Sequence, residues 1–576
     1  MIHKFIRKSR QLVNDRELRQ WLIRRLTART RGPMPFKAHR PPYLNEIFSS
    51  VNQIDGVSKK FQVIESTRPE DTIHLPLPGL KLILRPDEAE EVFHLYYSDI
   101  ETLLAMHRFA WLPLCGHSTS SCNWAQLLWN IWQKHFGDNF DNWAWHPYTA
   151  AERAINILDL SETHGFPSPI DDTLKSLAIH ADLIFKRLEY FGEHNTSNHL
   201  SNNGRGLYRL GLALNIDWAI EAGAIILEKE SNRILGNSGI LREGSSHYHL
   251  LIARNYIDAW LASRRYSRVE EPIFKNIATR VLAVVPWLVL PGGMPLIGDI
   301  SPDCPPEYLL GLSGTDTGWI AGLEDDDKSA ALKLIDEVSP IEIKQLAEDG
   351  WHHFSYGPWT GLWHCAPRGW AESPGHGHHD AGGFELHFND VSLLVDPGRG
   401  EYGESHSSVK YRSAEVHNIL TLSGNGPYPV NKPYYDDTFR YSITGRPPRL
   451  TTNRNEVRIS HNGFQRFSGI GEHIRQWKFT ENNMRILDNI QGQGIQQITR
   501  RFITPLEPKM VRDGIVLTHF GETFKQSFLL RVSNADVVIS KTTLWKSYGN
   551  GIEGYSISFD TDSQLPWFDE VSLEVI

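Results

Sequence analysis

Residues 351–365 read WHHFSYGPWTGLWHC, and residues 383–395 read GFELHFNDVSLLV. In both stretches apolar and polar residues alternate over short runs, and turn residues such as Asn389-Asp390 separate the runs. Alternation with a period of two residues predicts strands, and strands at regular spacing predict an all-β domain of sandwich type over 349–576. The runs are Gly361–Cys365, Gly383–Phe388, Ser392–Val395, Ile419–Leu422, Val457–Ser460, Ile474–Phe479, Gln496–Ile503 and Gln526–Val532.

The chain before this stretch has a different periodicity. Between about residues 40 and 345, apolar residues recur every three or four positions, and loops of Gly, Pro, Asn and Ser separate the segments. This spacing predicts helices and a helical domain over 36–348. A cleft between two such domains is a usual place for a ligand. The predicted helices include Ala151–Leu160, Asp172–Tyr190, Gly206–Glu230, Tyr248–Arg264 and Pro272–Val289.

Composition and motif scans exclude several classes of protein. The 576 residues carry a net charge of −9, which argues against a basic nucleic-acid-binding protein, and no nucleic acid is expected as a partner. The 4 cysteines form no CxxC pair, so neither a disulfide scaffold nor a cysteine-ligated zinc site is expected. The sequence contains no P-loop, HExxH, GxSxG or convincing GxGxxG motif, which disfavours nucleotide hydrolysis, zincin proteolysis and esterase chemistry.

The first 35 residues are rich in Arg and Lys and have apolar residues on one side of a predicted helix. One interpretation is a helix at an anionic membrane surface, and the other, which we favour, is a helix that packs on the body of the protein. No apolar stretch typical of a secretory signal follows Met1. We therefore expect a cytoplasmic protein, with a periplasmic or membrane-peripheral location as the alternative.

The densest cluster of ionisable residues is Gly375-His376-Gly377-His378-His379-Asp380. In an extended segment His376 and His378 point the same way, which suits a metal ligand beside a proton carrier. Asp396 ends an apolar run and His417 precedes another, so His378, Asp396 and His417 are a candidate two-histidine, one-carboxylate site. The alternative is three unrelated polar residues at strand ends.

Two further segments carry polar residues at predicted helix starts. Asn198 and His199 precede the helix that contains Gly206, and they either cap it or donate hydrogen bonds to a carboxylate. Tyr248 follows Glu243-Gly244-Ser245 and is either a core residue or a reactive phenol. Neither segment decides its role alone.

Taken in chain order, six motifs resemble the heparinase II/III family of polysaccharide lyases over roughly residues 140–505. They are Ser197-Asn198-His199-Leu200, Glu243-x-Ser245-x-x-Tyr248, Pro295-Leu296-Ile297-Gly298-Asp299, His376-Gly377-His378-x-Asp380, Val395-Asp396-Pro397-Gly398 and His417-Asn418. The resemblance implies an α+β multidomain fold, in which an N-terminal incomplete (α/α) toroid precedes an antiparallel β-sandwich. Ser197 departs from the family, which usually has Asn at that position.

The resemblance also implies a carbon–oxygen lyase (EC 4.2.2.-) that cleaves a uronic-acid-containing acidic polysaccharide by β-elimination. Asn198 would neutralise the uronate carboxylate, with His199 beside it, and this would stabilise the enolate-like intermediate. Tyr248 would be the general acid and His376 a base or a carboxylate contact. Tyr248 would also be a base only if its pKa fell below the usual value of about 10.

The resemblance assigns His378, Asp396 and His417 to a structural divalent metal, expected to be zinc, and it implies no organic cofactor. An acidic substrate needs local positive charge, for which Arg205, Arg242, Arg399 and Arg412 are candidates. Their alternative role is in ordinary salt bridges. Trp145 is a candidate for stacking on a sugar, as is its neighbour Trp143, although at least one of the two is expected in the core.

Three functions remain open on the sequence alone. The first is the lyase, in capsule or exopolysaccharide metabolism. The second is a glycoside hydrolase on the same scaffold, for which Glu193 and Glu243 are candidate carboxylates. The third is a non-catalytic glycan-binding protein of a polysaccharide assembly system, with peripheral membrane contact through its N-terminal helix.

Overall fold

The computed structural model describes residues 13, 15–27, 40–45, 62–64, 67–116, 118–192, 197–403, 405–521, 525–533 and 535–576. Helices dominate up to Glu348, and strands dominate from Trp351 onward. Within these described ranges, no helix combines the length and the apolarity that crossing a bilayer requires.

The helical part also contains one short hairpin, Ile73–Leu77 with Leu80–Leu84. The α-helices of the described residues are Arg16–Leu26, Pro42–Asn45, Ile100–Arg108, Thr119–Phe136, Pro147–His164, Ile170–Lys186, Asn198–Leu214, Asp217–Ile234, Ser246–Arg265, Glu271–Leu282, Val285–Leu288, Gly318–Ala321, Asp325–Glu337, Ile343–Glu348, His406–Lys410 and Asp437–Thr444. Short 3₁₀ turns cover Ala89–His94, Trp143–Trp145, Pro306–Ser313, Ala414–Val416 and Gly463–Arg466.

Serine side chains fix the start of the two helices that matter most for the site. The Ser197 hydroxyl accepts the His199 N–H at 3.2 Å, and the Ser245 hydroxyl accepts the Tyr248 N–H at 3.1 Å. Serine is a favoured N-cap because its oxygen pairs with an N–H that the helix leaves unpaired. Asn198 and Tyr248 therefore lie in the first turns of their helices.

Two predicted helices are each divided in the structure. The helix predicted over 272–289 is Glu271–Leu282 followed by Val285–Leu288. The apolar pattern over 206–230 predicts a single segment, whereas the structure ends one helix at Leu214 and begins the next at Asp217. Asn215 adopts a left-handed conformation, with φ at 59°, which stops the first helix. The pattern misses this break because Leu214 and Ile216, on either side of Asn215, are both apolar and buried, so the apolar pattern continues across it.

The strand-rich part forms two antiparallel sheets, one of four strands and one of ten. The strands of the smaller sheet are Trp351–Tyr356, Trp359–His364, Gly383–Phe388 and Val391–Leu394. The strands of the larger sheet are Leu420–Leu422, Arg449–Asn453, Glu456–His461, Ile470–Thr480, Asn483–Thr504, Pro508–Val511, Gly514–Phe520, Lys525–Val532, Asp536–Ser547 and Asn550–Val575.

The two sheets share one apolar core. Trp363 of the smaller sheet lies edge-on to Trp477 of the larger sheet, with ring centroids 5.7 Å apart, and both side chains are fully buried. The predicted mixture of helices followed by strands is thereby confirmed. The incomplete toroid, the sandwich and the domain limits 1–35, 36–348 and 349–576 stay predictions.

The helix Arg16–Leu26 packs against the strand-rich part. Trp21 is buried, and its ring centroid lies 4.4 Å from that of Tyr434. The Arg16 guanidinium donates to the Arg466 carbonyl at 3.3 Å. This contact agrees with a helix that lies on the body of the protein and gives no support to membrane contact. The basic residues of 1–12 and 28–35 lie outside the described residues.

Candidate active site

Backbone hydrogen bonds bring three distant segments together where the helical and strand-rich parts meet. The His376 N–H donates to the Glu243 carbonyl at 2.8 Å, and the Asp299 N–H donates to the His376 carbonyl at 2.9 Å. Gly244, at φ +75°, allows this approach, because a Cβ there would lie 2.9 Å from the Gly377 Cα. The side chains of Glu243, Asp299 and His376 therefore converge.

The rings of Tyr248 and His376 stack face to face. Their centroids are 3.5 Å apart and their planes differ by 8°. The Tyr248 hydroxyl oxygen lies 2.7 Å from that of Tyr402, a residue that sequence analysis did not single out. The structure thus brings two of the predicted catalytic residues into direct contact.

Asp299 is a carboxylate shared by three partners. It accepts hydrogen bonds from His376 Nδ1 at 3.1 Å, from His378 Nε2 at 2.9 Å and from the Arg399 guanidinium at 3.0 Å. Burial raises the pKa of Asp299, but these hydrogen bonds and the charge of Arg399 outweigh it and hold the pKa well below its usual range. An ionised Asp299 can only accept, so it assigns a proton of His376 to Nδ1, and Nε2 carries the lone pair in the neutral imidazole.

Asn198 presents an unsatisfied amide. Its backbone N–H donates to the Glu243 carboxylate at 2.6 Å, which anchors the start of the helix. Its side-chain Oδ1 and Nδ2 are buried and have no hydrogen-bond partner within the described residues. A buried amide without partners is costly, so this one is suited to a ligand.

His199 lies beside Asn198 and is partly exposed, at 40% of its side chain. Its Nδ1 lies 2.7 Å from the Glu189 carboxylate. Burial lowers the pKa of His199, but Glu189 outweighs burial and leaves the pKa raised. The positively charged form of His199 is therefore favoured, next to the Asn198 amide.

Tyr248 is a protonated phenol at rest. Burial, reinforced by the nearby Asp303 carboxylate, raises the pKa of Tyr248 well above its usual value. The lowered pKa that a basic role for Tyr248 requires is therefore not found. A phenol that keeps its proton fits a general acid.

The three predicted metal ligands converge. One ligand atom each from His378, Asp396 and His417 lies within 4.8 Å of the others, and all three residues are buried. Within the described residues, His378 Nδ1 and His417 Nε2 are buried and have no hydrogen-bond partner. The other ring nitrogen of His378 contacts Asp299, and that of His417 contacts Asp396 at 2.8 Å. Two orphaned imidazole nitrogens beside a carboxylate fit a divalent cation such as zinc.

The four arginines predicted as substrate contacts have different surroundings. Arg205 is buried and pairs with Asp258 at 2.6 Å and Glu152 at 3.1 Å, so the expectation that it binds substrate has to be corrected. Arg399 is also buried, and its guanidinium donates to the Asp299 carboxylate, so the expectation that it binds substrate has to be corrected as well. The remaining two stay candidates: Arg412 has a buried Nε without a hydrogen-bond partner in the described part of the chain, and Arg242 is exposed and lines a cavity of about 560 Å³.

The expectation that Trp145 stacks on a sugar also has to be corrected. Trp145 is fully buried, and its indole N–H donates to the Phe136 carbonyl at 2.7 Å. Its neighbour Trp143 is 59% exposed instead, and its ring centroid lies 5.9 Å from that of His146. The His146 ring lies 6.4 Å from that of His199, so His146 lies between the exposed Trp143 and His199.

Sequence analysis missed the roles of four residues. Asp299 and Glu243 belong to two of the six motifs, yet only the structure shows that both contact His376. Glu189 has no sequence signal, and Tyr402 lies in an irregular segment after Asp396. The other hydrolase candidate, Glu193, lies outside the described residues.

Comparison with known proteins finds one family model that matches part of the chain. A family model described as heparinase II/III-like, C-terminal, matches residues 339–552. None of the curated proteins compared with the chain matches it.

Solved structures share the fold at low sequence identity. A heparinase III is 15% identical with a TM-score of 0.61, over 84% of this chain and 78% of that chain. A heparan sulfate lyase, HepC from Pedobacter heparinus, is 15% identical with a TM-score of 0.52, over 84% of this chain and 78% of that chain. The resemblance of the motifs to the heparinase II/III family is thereby confirmed: residues 339–552 match its C-terminal domain, and the chain shares the fold of heparinase III.

Proposed function

We propose that this protein is a polysaccharide lyase that cleaves a uronic-acid-containing acidic polysaccharide by β-elimination. The observation that carries the proposal is the meeting of Asn198, Tyr248 and His376 from three distant segments, with the Tyr248 and His376 rings 3.5 Å apart. The family match over residues 339–552 and the heparinase III fold support it.

The first requirement of the reaction is to make the C5 proton acidic. That proton lies alpha to a carboxylate, whose negative charge opposes its removal. In the proposal, the free amide of Asn198 binds the carboxylate, and the positive charge of His199 lies beside it. Hydrogen-bond donors that already point at the developing charge stabilise an enolate-like intermediate.

His376 then removes the C5 proton. Asp299 holds the His376 Nδ1–H, so the lone pair is on Nε2. Nε2 lies 3.2 Å from the Glu243 carboxylate, and burial raises the pKa of Glu243, which favours its neutral form. An imidazole oriented by a carboxylate behind it is a recurrent form of general base.

Tyr248 supplies the proton to the departing O4. The raised pKa of Tyr248 keeps that proton in place until the C4–O4 bond weakens. Because the Tyr248 and His376 rings are in contact, no sugar ring fits between them, and both act on one face of the sugar. We propose a uronate whose C5–H and C4–O4 bonds lie on the same face, as in glucuronate.

His378, Asp396 and His417 would hold a divalent cation, which stabilises the fold around the site when bound. Asp299 links this site to the base, because it contacts both His378 and His376. Zinc as the ion, a role in capsule or exopolysaccharide metabolism, and a cytoplasmic location stay predictions.

The direct test is to incubate the protein with glucuronan, hyaluronan, heparan, alginate and an iduronate-rich polymer and to record the ultraviolet absorbance of a 4,5-unsaturated uronate. We expect the absorbance with glucuronate polymers and its loss in Tyr248→Phe and His376→Ala. Tyr96→Phe and His74→Ala are controls, since both residues are exposed. New reducing ends without absorbance would instead indicate a hydrolase, and saturable binding without either product a binding protein.

A further inference from the structure

Tyr402 contributes a second phenol to the site. Its hydroxyl lies 2.7 Å from the Tyr248 hydroxyl and 3.0 Å from the Ile300 carbonyl. We infer that Tyr402 is a positioning residue that orients the reactive proton of Tyr248 and then stabilises the phenolate left after that proton is transferred. The inference rests on the proposed lyase function.

The two contacts fix the direction of the hydrogen bonds. The Ile300 carbonyl can only accept, so the Tyr402 hydroxyl donates its one proton there. The Tyr402 oxygen then accepts from Tyr248, whose proton is held at a defined place. Tyr402 is itself fixed, because its backbone N–H donates to the Tyr548 hydroxyl at 2.9 Å and the two rings meet edge to face.

During the reaction the two hydroxyls exchange their roles as hydrogen-bond donor and acceptor. The Tyr248 O–H bond breaks, its proton goes to O4 as the C4–O4 bond breaks, and the bonding electron pair stays on the Tyr248 oxygen as a phenolate. The C5–H electron pair becomes the C4–C5 double bond, and the C5 proton goes to His376 Nε2. The Tyr402 hydroxyl can then turn from Ile300 to Tyr248 and donate to the phenolate.

The charges around Tyr248 disfavour a phenolate there, so a hydrogen-bond donor to its oxygen would stabilise the product of proton transfer. The carboxylates of Asp303, Asp299 and Glu101 all oppose negative charge on Tyr248, whereas the contact with Tyr402 favours it. The His376 ring covers one face of Tyr248, and the Arg399 guanidinium lies 5.0 Å from the Tyr402 ring. Within the described residues, the hydrogen-bond partner of the Tyr248 hydroxyl is Tyr402.

The test is Tyr402→Phe, which keeps the ring and removes the hydroxyl. With a natural glucuronate oligosaccharide we expect kcat to fall by about 10- to 100-fold, the range for one hydrogen bond to a charged group, while KM changes less than about twofold. With a uronide that carries fluoride at C4, a leaving group that needs no proton, we expect kcat close to that of the wild type.

The ratio of the two kcat values on one sample does not depend on the fraction of folded protein, so it remains informative if the variant folds poorly. Tyr411→Phe is the matched control, since it also removes a buried hydroxyl, which accepts from the Thr543 N–H at 3.0 Å. Its ratio should equal that of the wild type.

Each outcome of the Tyr402→Phe experiment either supports or overturns the inference. If kcat of Tyr402→Phe is unchanged on both substrates, in a protein whose wild type forms the unsaturated product, the role of Tyr402 alone is overturned. Equal losses on both substrates also overturn it, because they indicate a merely structural hydroxyl. Absence of unsaturated product from the wild type on every polymer overturns the lyase and this inference together.

Discussion

Replacing Asp299 by Asn tests the arrangement of the site most directly. The two side chains have nearly the same shape, and Asp299 is only 4% exposed, so little packing is lost. One carboxylate oxygen, however, becomes an NH₂ group that faces donors. The partners affected are His376, His378 and Arg399, at 2.9–3.2 Å.

The expected magnitude follows from these contacts. Arg399 would lose the counter-charge of a buried ion pair, and breaking such a pair costs about 3–5 kcal/mol. His376 would lose the acceptor that keeps its lone pair on Nε2, and a comparable change in a serine protease lowers kcat by roughly 10⁴-fold. His378 would lose the partner that orients it, which typically weakens a metal site by about 10- to 100-fold.

Three measurements check these consequences: urea unfolding, kcat on a glucuronate polymer, and zinc affinity by competition with a chelator. Asp390→Asn, in an exposed turn, is the control and should behave like the wild type. A variant of Asp299 that keeps more than about a tenth of kcat and unfolds at the wild-type urea concentration would show that the shared carboxylate does not organise the site.

Three further predictions concern other parts of the site. Trp143→Ala should raise KM for a polymer by about 10-fold with little change in the free energy of unfolding. Trp145→Ala should instead lower the free energy of unfolding by about 3–5 kcal/mol. If the two variants behave alike in steady-state kinetics and in urea unfolding, Trp143 as a sugar contact and Trp145 as a core residue are both contradicted. The ion pair of His199 with Glu189 should stabilise the protein most between about pH 4.5 and 6.5. Because the pKa of Glu189 is lowered in the folded protein, the stabilisation from its charged form is lost as the pH falls below that window. Because the pKa of His199 is raised, the stabilisation from its charged form is lost as the pH rises above the window. The melting temperatures of the wild type and His199→Gln should therefore differ most inside this window, and a constant difference would contradict the pairing. Chelation should lower the melting temperature of the wild type but not that of His417→Ala, and elemental analysis should find less zinc in that variant; equal zinc in both would exclude His417 as a ligand.

The sequence predicted the parts of the site whose residue types are tied to a local pattern. Asp396 ends an apolar run and His417 precedes another, which made them candidate ligands together with His378. Strand periodicity left open whether the three converge, and the resemblance to the lyase family assigned them to one metal site. The structure brings their ligand atoms within 4.8 Å of one another. The alternation over 383–388 likewise predicted a strand with the bounds that the structure has.

Other features depend on contacts that no local pattern encodes. Tyr402 and Tyr248 are 154 residues apart, and their pairing depends on how the two parts of the chain dock. Trp143 and Trp145 are the same residue type two positions apart, and a single 3₁₀ turn leaves one exposed and the other buried. Which of the two is buried depends on the residues that pack against this turn, and the residue type does not reveal it.

Asp299 belongs to the helical part of the chain, yet the side chains that it holds, His376, His378 and Arg399, all belong to the strand-rich part. The two parts are therefore not interchangeable modules. A chimera that borrows its strand-rich part from a relative would have to bring that relative's equivalent of residues 295–303 as well. Fragments divided near Gly350 should show no turnover apart and should recover it only when mixed under conditions that let them reassociate.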